Sequence, residues 1–146
     1  MIVFETPRLA VRNWTPEDAE VFLEVYGDPR VTRFTRTPEL PDIAAARTRL
    51  SRVQGQIDER GFGHWALIER VSGAVVGSCG FRPVEGDDDL EVGFTIAPSQ
   101  WGKGYAVEAT TACLRWGFAR GAKRIRALTL PANVHARRVL EKSGLT

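Results

Sequence analysis

The chain is poor in cysteine. Only Cys79 and Cys113 occur in 146 residues, without the spacing of a metal site. Neither a disulfide scaffold nor a cysteine-ligated metal centre is therefore expected. Long apolar runs are missing too, and nothing approaches the ~18 residues of a membrane span. The opening Met1-Ile2-Val3-Phe4-Glu5 has no basic region followed by an apolar stretch, so no signal peptide is expected. Nor is there a strong charge of one sign. Twenty basic residues against eighteen acidic ones leave a net charge of +2, too mild a bias to argue for nucleic acid. Internal repeats, low-complexity tracts and linkers rich in Pro, Gly or Ser are absent. One domain over residues 1–146 is expected, in a reducing, cytoplasmic setting with no membrane or metal partner. What is present is ordinary for a folded protein, with 43% hydrophobic and 26% charged residues. The length is near the ~150 residues at which about two-thirds of the unfolded surface is hidden.

Periodicity gives the elements. Residues 8–13 alternate around Leu9 and Val11 and read as a short strand. Thr15-Pro16-Glu17-Asp18 is a helix start, with a cap, a proline at the first helical position and acidic residues in the first turn. The helix that follows should bury Ala19, Phe22, Leu23 and Tyr26 and stop at Gly27-Asp28-Pro29. Residues 41–59 carry Ile43, Ala46, Leu50, Val53 and Ile57 at helical spacing, and Gly61 and Gly63 follow. Residues 64–69 and 74–81 read as a hairpin around Val71-Ser72-Gly73. Residues 90–96 form another strand, with Leu90, Val92, Phe94 and Ile96 on one face and Glu91, Gly93 and Thr95 on the other. A long helix over 105–120, a strand over 124–130 and a helix over 133–142 complete the order. The simplest packing is α/β (α+β), a mixed sheet with a right-handed βαβ crossover and helices on both faces.

The segment from Ile96 to Ala109 is the most informative. It runs from a strand end through Gly102 and Gly104 into a helix start. The first amides of a helix have no helical acceptor, and the helix dipole places positive charge there. Glycines let a ligand approach the main chain. Together these features suit a phosphate or pyrophosphate, and Lys103 adds a mobile charge; a plain tight turn is the competing reading. A dinucleotide fingerprint fails, because Val107 stands at the third glycine position and Lys123, Arg124 and Arg126 where an acid belongs. A P-loop fails on spacing.

Trp101-Gly102-Lys103-Gly104-Tyr105-Ala106 resembles motif A of the Gcn5-related N-acetyltransferases, the GNAT superfamily, in the form found in its RimJ/RimL-type branch. Trp101 departs from the general pattern, which has Arg or Gln there. The resemblance extends to Glu5-Thr6-Pro7-Arg8-Leu9, to residues 15–19, 62–68, 76–81 and 90–94, and to Asn133 through Gly144. It implies a mostly antiparallel sheet and acetyl-CoA as co-substrate. By the same resemblance the pantetheine arm lies along Phe94, Thr95 and Ile96. The pyrophosphate lies on amides of Gly102, Lys103, Gly104, Tyr105, Ala106 and Val107, and Asn133 bonds the pantetheine. Asn133 reads equally well as a helix cap.

Acetyl transfer to an amine needs a proton acceptor, a donor for the developing oxyanion, and alignment. Glu91 is the base candidate, acting through a water; an ordinary strand glutamate is the alternative. A backbone N–H near Phe94 suits the oxyanion. The resemblance places a tyrosine or serine acid at positions held here by Leu140 and Ala136, so protonation would come from water or the amine. These two residues also motivate a second reading, a non-catalytic acyl-CoA-binding sensor. His64 is read as structural, though able to reach the acceptor cleft, and His135 as surface. Cys79 and Cys113 read as core, and Trp14, Trp65, Trp101 and Trp116 as packing. Arg137 and Arg138 meet either the cofactor 3′-phosphate or solvent. Arg30, Arg33 and Arg36 would attract an acidic acceptor, whereas Arg47, Arg49 and Arg52 are expected on a wet helix face.

The acceptor is expected to be a primary amine, either a protein N-terminal α-amine or a small molecule, near the first two helices and residues 30–41. The family adds two strands after the position of Gly144, and this chain ends at Leu145-Thr146. Missing C-terminal strands, with a homodimer completing the sheet or marginal stability as the consequence, are expected.

Overall fold

Six strands pair in chain order: β1 (Ile2–Glu5), β2 (Leu9–Arg12), β3 (His64–Glu69), β4 (Val75–Pro83), β5 (Leu90–Ile96) and β6 (Ile125–Ala127). The computed structural model describes residues 2–33, 38–84, 89–127 and 134–144. Successive pairs are antiparallel except β5 and β6, which run parallel. A parallel pair cannot be closed by a tight turn. Helix α4 (Tyr105–Ala119) makes the crossover between them. The other helices are α1 (Ala19–Tyr26), α2 (Pro29–Thr32), α3 (Ile43–Arg60) and α5 (Val134–Lys142). The mixed, mostly antiparallel sheet with one βαβ unit is the expected architecture.

Register decides which helix meets which side chain. Ala66, Ser78 and Thr95 align across three strands, as do Trp65, Cys79 and Phe94. Side chains alternate across a strand, so these two rows face opposite ways. Tyr26 of α1 reaches the first face, with its hydroxyl 2.6 Å from Ser78 Oγ. Trp116 of α4 covers the second, its ring centre 4.9 Å from that of Trp65 and 5.8 Å from that of Phe81. Helices thus lie on both faces. Gly117 lets α4 come close, because a Cβ there would stand 2.8 Å from Ile125 Cδ1. Cys79 and Cys113 meet in this layer, both fully buried and unoxidised. The neighbouring Cys79 and burial push the Cys113 thiol well up, which suits the core role expected of both.

Several elements differ from expectation. Strand β1 was not anticipated; Ile2-Val3-Phe4 has no alternation, and the strand is half-buried along an edge. The stop at Gly27 holds, but Asp28 then caps one more helical turn, α2, by accepting from the Arg30 amide at 2.9 Å. In α1 the buried residues are Ala19, Phe22 and Val25. Leu23 is half-buried, and Tyr26 carries a polar tip inward rather than an apolar face. Among the described residues no helix is long and apolar enough to cross a membrane.

Candidate active site

The outer edge of β5 offers backbone groups the ladder leaves free. The Ala97 amide donates to Val76 O at 2.8 Å, which fixes the parity of the β4–β5 ladder. In an antiparallel pair hydrogen-bonded positions alternate. The main chains of Glu91, Gly93 and Thr95 therefore face β4, and those of Phe94 and Ile96 face away from it. On that outer side the pairing with β6 runs from Leu90–Ile125 to Val92–Ala127, and among the described residues nothing pairs beyond it. Part of this edge is already used: Trp101 donates its indole N–H to Ile96 O at 2.7 Å. Trp101 is 48% exposed, so this tryptophan is not the packing residue expected. The backbone of Thr95 lies in the ladder, which leaves its side chain as the group it can contribute.

Beyond Ile96 a short turn, Pro98–Gln100, leads to two left-handed glycines, Gly102 at φ 82° and Gly104 at φ 80°. Other residues pay about 1–2 kcal/mol for that conformation. The space over the Cβ position of Gly102 is open. Gly104 brings no capping side chain to α4, so the amides of Tyr105, Ala106 and Val107 lack both a helical and a side-chain acceptor. Exposed at residues 101–104 and followed by buried Tyr105 and Ala106, the turn carries a row of backbone donors. It suits a diphosphate. Lys103 points its Nζ at Gln100 Oε1, 2.7 Å away, so in this state its charge is held beside the loop.

A network that sequence reading missed holds the loop from behind. Arg8 of the β1–β2 turn donates through Nη1 to Lys103 O at 2.7 Å and through Nε to Glu108 Oε1 at 2.7 Å. Its guanidinium lies 4.5 Å over the Tyr105 ring. Thr6 donates to the other Glu108 oxygen at 2.5 Å. Burial raises the Glu108 carboxyl, but the Thr6 and Arg8 contacts outweigh it and hold the group charged. Tyr105 donates its hydroxyl to Glu69, which pushes the phenol up and the carboxyl down. The Thr6-Pro7-Arg8 stretch was part of the resemblance, yet nothing local marked it as support for a loop nearly a hundred residues away.

On the α1–α3 face lie Glu91, Gly93 and Thr95. Glu91 is half-buried, with Arg82 and Arg126 as its cross-strand neighbours. His64 packs over Gly93, where a Cβ would stand 2.8 Å from His64 Cε1. It therefore borders the same face as Glu91. Burial pushes the Tyr26 phenol up against its Ser78 bond, so the group is protonated at neutral pH, with the Thr95 hydroxyl beside it. Arg47 and Arg52 are exposed as expected, but Arg49 is turned inward. Its Nη2 donates to Pro38 O at 2.9 Å, and its Nη1 is buried with no partner among the described residues.

The remaining candidates fall away from this face. Ala136 is buried and Leu140 half-buried, and neither offers a proton. Arg137 and Arg138 are exposed on α5. Arg30 is engaged by Asp28 at 2.7 Å. Arg124 and Arg126 both pair with Asp89, at 2.9 and 2.7 Å, and Arg120 stacks 4.9 Å over Trp116. These three arginines are thus engaged internally. Asn133, Arg36 and the side chain of His135 lie outside the described residues. Among the described residues no group of three or more His, Cys, Asp or Glu is placed to hold a metal.

Comparison with known proteins agrees with this geometry. Residues 8–146 match the acetyltransferase (GNAT) domain family. The chain is 29% identical to the uncharacterized N-acetyltransferase p20 of Bacillus licheniformis, over 96% of this chain and 83% of that protein. It is 34% identical to the uncharacterized protein YkkB of Bacillus subtilis, over 96% and 83%. A GNAT-family acetyltransferase structure from Bacillus anthracis superimposes with a TM-score of 0.87 at 27% identity, covering 99% of this chain and 82% of that one. RimL, a ribosomal L7/L12 α-N-protein acetyltransferase in complex with coenzyme A, shares the fold at a TM-score of 0.83 and 14% identity, over 99% and 83%. A family match over residues 8–146 makes this chain an acetyltransferase of the GNAT family.

Proposed function

We propose that this enzyme transfers acetyl from acetyl-CoA to a primary amine, by direct attack with both molecules bound. The observation that carries this reading is the continuity of the outward-facing Phe94 and Ile96 backbone with the uncapped turn at Gly102 and Gly104. The residues fit the cofactor: an extended edge for an amide-bearing arm runs into a donor-lined turn for a diphosphate. Phe94, Thr95 and Ile96 would hold the pantetheine. The amides of Gly102, Lys103, Gly104, Tyr105, Ala106 and Val107 would hold the pyrophosphate, and Asn133 is retained from the family resemblance. When bound, acetyl-CoA supplies an acyl carbon activated as a thioester.

The chain's own groups do the rest. The Phe94 N–H, fixed by the ladder, is a preorganised donor for negative charge developing on a carbonyl oxygen. Glu91 accepts the amine proton through a water. An α-amine with a pKa near 8 is partly neutral at pH 7, so a weak base suffices. The acceptor lies on the α1–α3 face, close to His64 and Thr95. RimL is named for acting on a protein N-terminal α-amine; for this chain a protein N-terminus or a small amine is proposed, in a cytoplasmic setting. Relatives named as N-acetyltransferases favour the enzyme over a silent CoA sensor. Incubation with acetyl-CoA and a panel of amines, followed by mass detection, tests this. An acetylated product with release of CoA is expected; CoA binding without any acetylated amine would overturn it.

A further inference from the structure

His64 reaches across the sheet to the strand where acetyl transfer is proposed. It opens β3, and its register partner is Gly80 on β4, which in turn pairs with Gly93 on β5. It stands two residues before Ala66, so its side chain shares the α1–α3 face with Ser78, Thr95 and Glu91. Its main chain is held in place: Trp14 donates its indole N–H to His64 O at 2.8 Å, and the Phe81 amide donates to Gly63 O at 3.0 Å. Gly93 has no side chain, and the imidazole lies over it; a Cβ there would stand 2.8 Å from Cε1 and 3.6 Å from Nε2. The ring thus covers the residue that precedes Phe94, whose N–H points outward, with Glu91 and Thr95 two positions away on either side. His64, Glu91, Gly93 and Thr95 are all half-buried, so each keeps part of its surface open to solvent.

Turning an ammonium group into an amide removes two protons from nitrogen. The first frees the lone pair, and Glu91 is proposed to take it. The second leaves as nitrogen bonds to carbon, while sulfur needs a proton as its bond to carbon breaks. Leu140 and Ala136 have none to give. Tyr26 is turned to Ser78, and burial holds its proton in place. An imidazole both accepts and donates near neutrality, and a thiol ordinarily holds a proton more tightly than an imidazolium. The strands and α1 bring Glu91, Arg82, Arg126, Tyr26 and the Arg12–Asp18 pair to this face, and α3 brings Asp58, held by Asn13 at 3.1 Å.

We propose that His64 is a second catalytic residue, which carries the remaining amine proton to the leaving sulfur. Its imidazole accepts that proton as nitrogen bonds to the acyl carbon, and returns it to sulfur as the carbon–sulfur bond breaks. No further reactant is consumed: the products are the N-acetyl amine and the free thiol, with the first proton released through Glu91 to water. This inference rests on the acetyl-transfer reading.

Kinetics and NMR test it. His64→Gln should lower kcat by about a hundredfold and leave KM for acetyl-CoA unchanged. The loss should persist at high pH, because every attacking amine brings the second proton. The loss in Glu91→Gln should shrink there. His64→Ala should regain activity with added imidazole, which a merely structural histidine would not allow. Gly93→Ala keeps the histidine but displaces its ring, and should slow turnover as well. The NMR arm uses wild type alone, so it decides the matter even where a variant fails to fold. The midpoint of the His64 imidazole titration should move when CoA is added and stay put with desulfo-CoA, which lacks the sulfur. A loss below about threefold in His64→Gln, a loss that fades at high pH, or an imidazole that titrates alike with both coenzymes overturns the inference. Acetylated product in the same assays would leave the acetyl-transfer reading intact. If wild type acetylates no amine, that reading falls, and a shift specific to CoA would still hold His64 at the sulfur.

Discussion

Arg8 and Lys103 are joined by a hydrogen bond from guanidinium to carbonyl at 2.7 Å, across 95 residues of sequence. The bond draws the Lys103 carbonyl back towards the sheet, and the same guanidinium holds Glu108 one turn into α4. The glycine turn is therefore tied where it enters α4, at Lys103 and again at Glu108, by one side chain from another part of the chain.

Arg8→Ala should loosen that clamp without unfolding the protein. Arg8 is 45% exposed, so solvent screening reduces what its ion pair contributes. The expected loss in CoA affinity is about three- to tenfold, read by titration calorimetry, with little change in melting temperature. Unchanged affinity would mean the turn holds its shape unaided.

Gly102→Ala and Gly55→Ala form a matched pair. Both sites have empty space around the missing Cβ, but only Gly102 is left-handed. Alanine at 102 should cost about 1–2 kcal/mol of stability and weaken CoA binding. Alanine at 55, exposed inside α3, should stabilise the fold by about 0.5–1 kcal/mol and leave binding alone. Urea unfolding with and without CoA reads both.

Glu91→Gln should slow acetyl transfer at pH 7 by about threefold or more if the carboxylate takes the proton, since such groups contribute rate rather than affinity. KM for acetyl-CoA should stay the same, and the deficit should shrink at high pH, where the amine is already neutral. A smaller loss removes the base assignment.

Asp18 should set part of the acid stability. Burial raises its carboxyl, but Arg12, 2.7 Å away, and the Thr15 amide at 2.8 Å outweigh this and bring it below the ordinary value. A depressed folded pKa means the contribution is complete above the unfolded value, about 3.9, and lost as pH falls through the folded one. Asp18→Asn should cost about 1–3 kcal/mol at pH 7, and the cost should narrow below about pH 4. A cost that does not depend on pH would assign the effect to packing alone.

Much of this was readable in advance because the signals are local. The glycine turn, the alternation of β5 and the stops at Gly27 and Gly61 each depend on a few neighbouring residues. What escaped depends on distant contacts or on atoms at the tips of side chains. Arg8 has no spacing that announces Lys103 or Glu108. Tyr26 reads as apolar by position, yet its hydroxyl is what meets Ser78. Arg49 falls three residues after Ala46, within the buried stripe, but its charge argued for solvent. Strand β1 has no alternation because its residues Val3 and Phe4 are both half-buried on an edge.

The two sealed thiols on β4 and α4 have a practical use. Because Cys79 and Cys113 are inaccessible in the folded protein, a sulfhydryl-reactive dye added to the assay should colour only with liberated coenzyme, giving turnover without a blank from the enzyme. Over hours, the slow labelling of the protein itself would time how often the layer between that helix and the sheet breathes open.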